Sequence, residues 1–157
     1  MARVDFAFGA PDRLRTACVV TRKRYLAGET VLAYSADSQR LAAFDRLLWA
    51  FDPVSFVPHV GVDDPLAHDT PVVLSAAAPG AWLDRLTEGS ALPWLLNLDD
   101  VCPPDVARFE RVMEIVAGHD DDRQKARQRW RDYAAAGHEV HAHDLAQTPT
   151  RAAGDRA

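Results

Sequence analysis

Val4-Asp5-Phe6-Ala7-Phe8 alternates apolar and polar residues and stops at Gly9, which predicts a first β-strand. Pro11-Asp12 then opens a helix to about Ala27, with Leu14, Cys18, Thr21 and Tyr25 at helical spacing and Gly28 closing it. Glu29-Thr30-Val31-Leu32-Ala33-Tyr34 follows as a short apolar run suited to a buried strand. Ser35 or Asp37 caps a second helix that carries Leu41, Phe44, Leu47 and Leu48 and ends near Trp49. Strand, helix, strand, helix in strict alternation predicts a parallel sheet covered on its faces by helices.

Beyond that stretch Asp52-Pro53 breaks the chain and Ser55-Phe56-Val57-Pro58-His59 reads as extended, since Pro58 biases Val57 away from helix. A polar loop covers 61–70. Pro71-Val72-Val73-Leu74 and Trp94-Leu95-Leu96-Asn97-Leu98 read as buried strands, with one or two helical turns over 81–86. Pro103-Pro104 is expected to lead a helix whose apolar side is Val106, Phe109, Val112, Met113 and Val116, with Asp105, Glu110 and Glu114 as solvated acids on it. A basic helix over 120–137 opens on Asp120-Asp121-Asp122, at the positive end of its dipole, and stops at Gly137. His138 to His143 then returns as a last strand. The fold class expected is α/β: a three-layer α/β/α, Rossmann-like arrangement with a mostly parallel central sheet and helices on both faces. The domain spans 1–145, and 146–157, without apolar periodicity, is expected to be a disordered tail.

A chain of 157 residues suits one domain, and 48% hydrophobic with 26% charged residues is ordinary for a globular protein. A net charge of -5 argues against attraction to a long phosphate backbone and makes the basic helix a local feature. Cys18 and Cys102 are isolated, without a CxxC spacing, which points to a reducing compartment rather than a disulfide framework or zinc site. No apolar run is long enough for a membrane span and no secretory signal is seen, so the expected location is cytoplasmic.

Catalytic constellations are not evident. The turn after the first strand, Gly9-Ala10-Pro11-Asp12, is neither GxGxxG nor GxxxxGK[ST], so the residues that cradle phosphate are missing where this fold would place them. His141 and His143 share a strand face and His119 stands beside Asp120, but no second pair of ligands accompanies them; they read as surface residues. No serine has a GxSxG context. No cofactor is expected. The competing reading is a nucleotide- or nucleic-acid-binding enzyme of similar fold.

Two features exceed core packing. Arg123, Arg127 and Trp130 fall along one side of the basic helix, continued by Arg131. Such a stripe is either a solvated face or a site for an acidic, partly apolar ligand. Trp49 and Phe56, at a helix end and in the adjoining loop, are either core plugs or a partner surface.

In order and spacing, Asp45, Leu48-Trp49, Ser55-Phe56-Val57-Pro58-His59, Asn97-Leu98, Pro103, Phe109-Glu110-Arg111, Glu114-Ile115-Val116, and Arg123, Arg127, Trp130-Arg131-Asp132-Tyr133 and Gly137 resemble the chi-subunit family of bacterial DNA polymerase III holoenzyme. The likeness covers about residues 3–145, and Phe56-Val57-Pro58-His59 is its most specific piece. It implies a non-catalytic accessory subunit of a DNA-directed DNA polymerase, serving DNA replication. Such a subunit links the clamp loader, through the psi subunit, to single-stranded-DNA-binding protein by holding that protein's acidic, Phe-terminated tail, so that DNA is met indirectly. By resemblance, Val116, Arg123, Arg127, Trp130, Arg131 and Gly137 match the tail pocket. Trp49 and Phe56 match the surface for psi or a helicase-like partner. Within that implied pocket Arg127 suits the terminal carboxylate, Arg123 and Arg131 the aspartates, and Trp130 with Val116 the apolar slot. Trp130 stands where tyrosine is common, keeping the wall but losing the hydroxyl.

Overall fold

A computed structural model describes residues 1–146. Its seven strands are β1 (Arg3–Ala10), β2 (Val31–Tyr34), β3 (His59–Gly61), β4 (Val72–Ser75), β5 (Trp94–Asn97), β6 (Arg111–Ala117) and β7 (Glu139–Asp144). They form one sheet in the order β3-β4-β2-β5-β6-β1-β7. Every neighbouring pair is parallel, so the sheet is parallel throughout. Helices α1 (Arg13–Leu26) and α2 (Ser38–Ala50) cover one face; α3 (Pro79–Leu83) and α4 (Asp120–Ala135) cover the other. This is the three-layer α/β/α arrangement expected.

The early elements form for the reasons their sequence suggests. Asp12 caps α1 by accepting from Arg15 N, and Asp37 caps α2 by accepting from Gln39 N and Arg40 N. Phe44 and Leu48 of α2 and Ala17 and Cys18 of α1 bury against Val31, Ala33, Leu96 and Ile115. On the opposite face Ala126 and Tyr133 of α4 pack over Val4, Phe6, Val112 and Val116.

One expected element is different. Residues 106–116 do not form a helix: Val106–Arg108 is a single 3-10 turn and Arg111–Ala117 is strand β6, near the middle of the sheet. A strand covered on both faces shows no polar alternation, so its apolar spacing also fits a helical stripe. Val112, Ile115 and Val116 are β-branched, and that tilts the run toward strand. Glu114 is not a solvated helix acid but a fully buried group on β6. The expected disordered tail, 146–157, lies outside the described residues apart from Ala146.

Candidate functional site

Helix α4 crosses from β6 over β1 to β7, and a groove of about 460 Å³ lies between its outer side and the sheet. The groove is lined by Phe6, Phe8, Val116, Arg123, Ala126, Arg127, Trp130, Arg131 and Ala142. Phe6 and Phe8 share a face of β1, as residues two apart must. Trp130 tilts onto Phe6 with ring centroids 5.2 Å apart, so the groove has an aromatic wall. Arg123, Arg127 and Arg131 form the cationic rim.

The three arginines differ in commitment. Arg123 is bonded to Asp120, and Arg131 donates to Gln128 Oε1 at 2.8 Å. Among the described residues Arg127 makes no hydrogen bond or ion pair, and it is exposed. A guanidinium without a partner at the mouth of an apolar groove suits a carboxylate, which it can grip with two parallel N–H bonds.

The floor under α4 is rigid. Arg129, on the side away from the groove, is fully buried and donates from Nε to Glu114 Oε1 at 3.0 Å. Glu114 Oε2 accepts from Asn97 Nδ2 at 2.7 Å and Tyr133 Oη at 2.6 Å. Burial first, and the Glu114 charge second, push the Tyr133 hydroxyl far above its ordinary value, so it stays a donor. Asp122 accepts from Ala117 N at 2.7 Å and ties the start of α4 to the end of β6. At the other end Gly137 takes φ +88° and His138 N bonds Tyr133 O at 3.1 Å, closing the helix.

Of the residues expected for the tail pocket, the groove brings together Val116, Arg123, Arg127, Trp130 and Arg131. Gly137 lies past the helix end and is not in the lining. Phe6, Phe8, Ala126 and Ala142 were not anticipated. The two phenylalanines are legible as one face of the first strand, but only the topology places that face beside α4.

Trp49 and Phe56 lie elsewhere. Trp49 is 53% and Phe56 62% exposed, with ring centroids 5.4 Å apart, so neither is a core plug. Both rings stand beside β3, the sheet edge five strand positions from β1. At about 4.8 Å per strand the patch and the groove are roughly 25 Å apart.

The strand-end crevice of the sheet, where folds of this class receive ligands, holds the protein's own charges. Asp99 accepts from Ser35 Oγ and Ala36 N, and Asp100 pairs with Arg13, Arg40 and Lys125, each at 3.3 Å. The C-terminal histidines are also engaged: His143 Nε2 lies 2.9 Å from Asp5 Oδ1, and His141 contacts Glu139. Among the described residues no three side chains are grouped to hold a metal ion.

Residues 1–141 match the family model described as DNA polymerase III chi subunit, HolC. The chain belongs to the DNA polymerase III chi-subunit family. It is 30% identical over 149 residues to the DNA polymerase III subunit chi of Pseudomonas aeruginosa, covering 92% of this chain and 98% of that protein. It is 28% identical over 120 residues to DNA polymerase III subunit chi of Escherichia coli K12, covering 76% and 77%. This chi-family chain is therefore an accessory subunit of a DNA replication holoenzyme. No helix among its described residues is long and apolar enough to cross a membrane.

Proposed function

We propose that this chi-family chain is a non-catalytic adaptor that holds the acidic C-terminal tail of single-stranded-DNA-binding protein in the α4 groove and docks its clamp-loader partner through Trp49 and Phe56. The observation that carries the reading is the groove itself, an aromatic slot rimmed by three arginines, of which Arg127 has no partner among the described residues. A tail ending in phenylalanine would place its ring between Trp130, Phe6 and Val116 and its terminal carboxylate on Arg127. Arg123 and Arg131 would draw in the preceding aspartates, an attraction that salt screens. With the chain at a net charge of -5, the adaptor itself has little attraction for DNA phosphates, and DNA is reached through the coating protein.

Separation of the two surfaces supports the linking role. Two partners about 25 Å apart can be held at once, without competing for side chains. The partner at Trp49 and Phe56 would be psi or a helicase-like protein, since exposed paired aromatics serve as anchors in interfaces. A sequential capture experiment tests the adaptor. Immobilised tail peptide should retain the chain, and the loaded chain should then retain purified psi. Release of the chain from the peptide on adding psi would contradict two independent surfaces.

A further inference from the structure

Trp49 and Phe56 come from different pieces of chain, and something must hold them side by side. Phe56 sits on the loop of residues 51–58 between α2 and β3, and Trp49 on the last turns of α2. His59, the first residue of β3, packs against Trp49. Its side chain is fully buried.

Each nitrogen of the His59 ring faces an accepting oxygen. Nδ1 is 2.7 Å from Val57 O, on the Phe56 loop, and Nε2 is 2.8 Å from Asp45 Oδ1, on α2. The ring face carries Trp49, with centroids 4.4 Å apart. Asp45 and Trp49 are four residues apart on one helix face, so one meets the edge of the imidazole while the other packs against the ring at a tilt of 43°. Asp52 orders the intervening loop by accepting from Val54 N at 3.0 Å and Ser55 Oγ at 2.9 Å. Val57, between Phe56 and Pro58, is buried and anchors the loop.

We propose that His59 is a positioning residue for the aromatic docking patch: with Asp45 of α2 at one ring nitrogen and Val57 O of the loop at the other, it supports Trp49 and holds it beside Phe56. The inference rests on the reading of Trp49 and Phe56 as a docking surface. A buried imidazole cannot touch a partner, so any effect of His59 on docking is transmitted through the rings above it.

The experiment uses the full chain with purified psi as probe and the tail peptide as a control for the distant groove. Trp49→Ala reports the docking surface and His59→Phe removes both polar ring nitrogens while keeping a ring. His59→Gln restores an amide that can reach Asp45. Trp49 is followed by fluorine NMR of 5-fluorotryptophan protein. Expected are losses of about tenfold in psi affinity for Trp49→Ala and His59→Phe, from the loss of an anchor or a charge-assisted bond. Affinity in His59→Gln should recover to within about threefold of the parent, and tail-peptide binding should be unchanged throughout. The Trp49 resonance should move in His59→Phe while those of Trp82, Trp94 and Trp130 stay.

Parental psi affinity in His59→Phe, with Trp49→Ala impaired, would overturn the role of His59 and leave the docking surface standing. Parental affinity in Trp49→Ala, or no binding of psi by the parent, would overturn the docking reading and the inference with it. If His59→Phe loses tail binding as well, it has unfolded, and Asp45→Ala, which removes the acceptor, decides. Reduced psi affinity with intact tail binding then supports the clasp, and unchanged affinity overturns it.

Discussion

Glu114 of β6 and Arg129 of α4 form an ion pair with both side chains out of solvent, Arg129 Nε to Glu114 Oε1 at 3.0 Å. It joins a central strand to the helix whose opposite side presents Arg127 and Trp130. Two buried charges must satisfy each other, so the phase of α4 about its own axis is set from beneath and the groove residues face outward as a consequence.

Removing one partner should therefore be costly. Glu114→Ala leaves a buried guanidinium with the Asn97 and Tyr133 donors unmatched, and loss of one member of such a pair costs about 3–5 kcal/mol. Urea unfolding followed by far-ultraviolet circular dichroism measures it. A loss below about 1 kcal/mol would show that the pair does not anchor α4.

The two surfaces should separate by mutation. Phe56→Ala removes an exposed ring far from the groove, so tail-peptide affinity should stay at the parental value while retention of the clamp-loader partner falls. Simultaneous loss of both, with a lowered melting temperature, would identify Phe56 as a packing residue instead.

How far the sequence carries these conclusions differs by element. Helix α4 is legible because its acids, its glycine stop and its polar side are all local signals. Strand β6 is not, because a strand buried on both faces loses the period that distinguishes it. The same ambiguity conceals Glu114, and with it the reason Arg129 can occupy a buried stripe with Asp122, Ala126 and Tyr133. The groove was half legible. Its cationic rim lies on one helix, but Phe6, Phe8 and Ala142 arrive from β1 and β7, strands about 130 residues apart in the chain that only the sheet order makes neighbours. His59 shows the same limit: its partner Asp45 lies 14 residues away, across a helix end and a loop.

Asp5 should contribute acid-dependent stability. Burial pushes its carboxyl up, but hydrogen bonds from Arg3, His143 and Arg111 outweigh that and hold it at about 2, below the ordinary 3.8. A depressed value means the contribution is fully present above about pH 4 and is lost as the pH falls through about 2. The folded protein should exceed Asp5→Asn in stability by roughly 1–2 kcal/mol at neutral pH, with the gap narrowing below pH 4. A gap independent of pH between 2 and 5 would contradict it.

Both thiols should be inert in the native protein. Burial pushes Cys18 up to about 12, and burial with the nearby Glu114 charge pushes Cys102 up to about 11. Since the thiolate is the nucleophile, an aromatic disulfide reagent at neutral pH should label neither rapidly, and both on unfolding in guanidinium. Fast native labelling of Cys102 would mean that the loop before β6 opens readily.

In the proposed complex Arg127 holds the carboxylate of an acidic tail whose last ring enters the groove. Fluorescence anisotropy with a labelled peptide copying the C-terminus of the cognate single-stranded-DNA-binding protein measures this contact, comparing the parental chain with Arg127→Ala. Binding should be saturable and weaken with added salt, and the variant should lose about tenfold or more, the worth of a charge-assisted hydrogen bond. Equal affinity for the two proteins would contradict it.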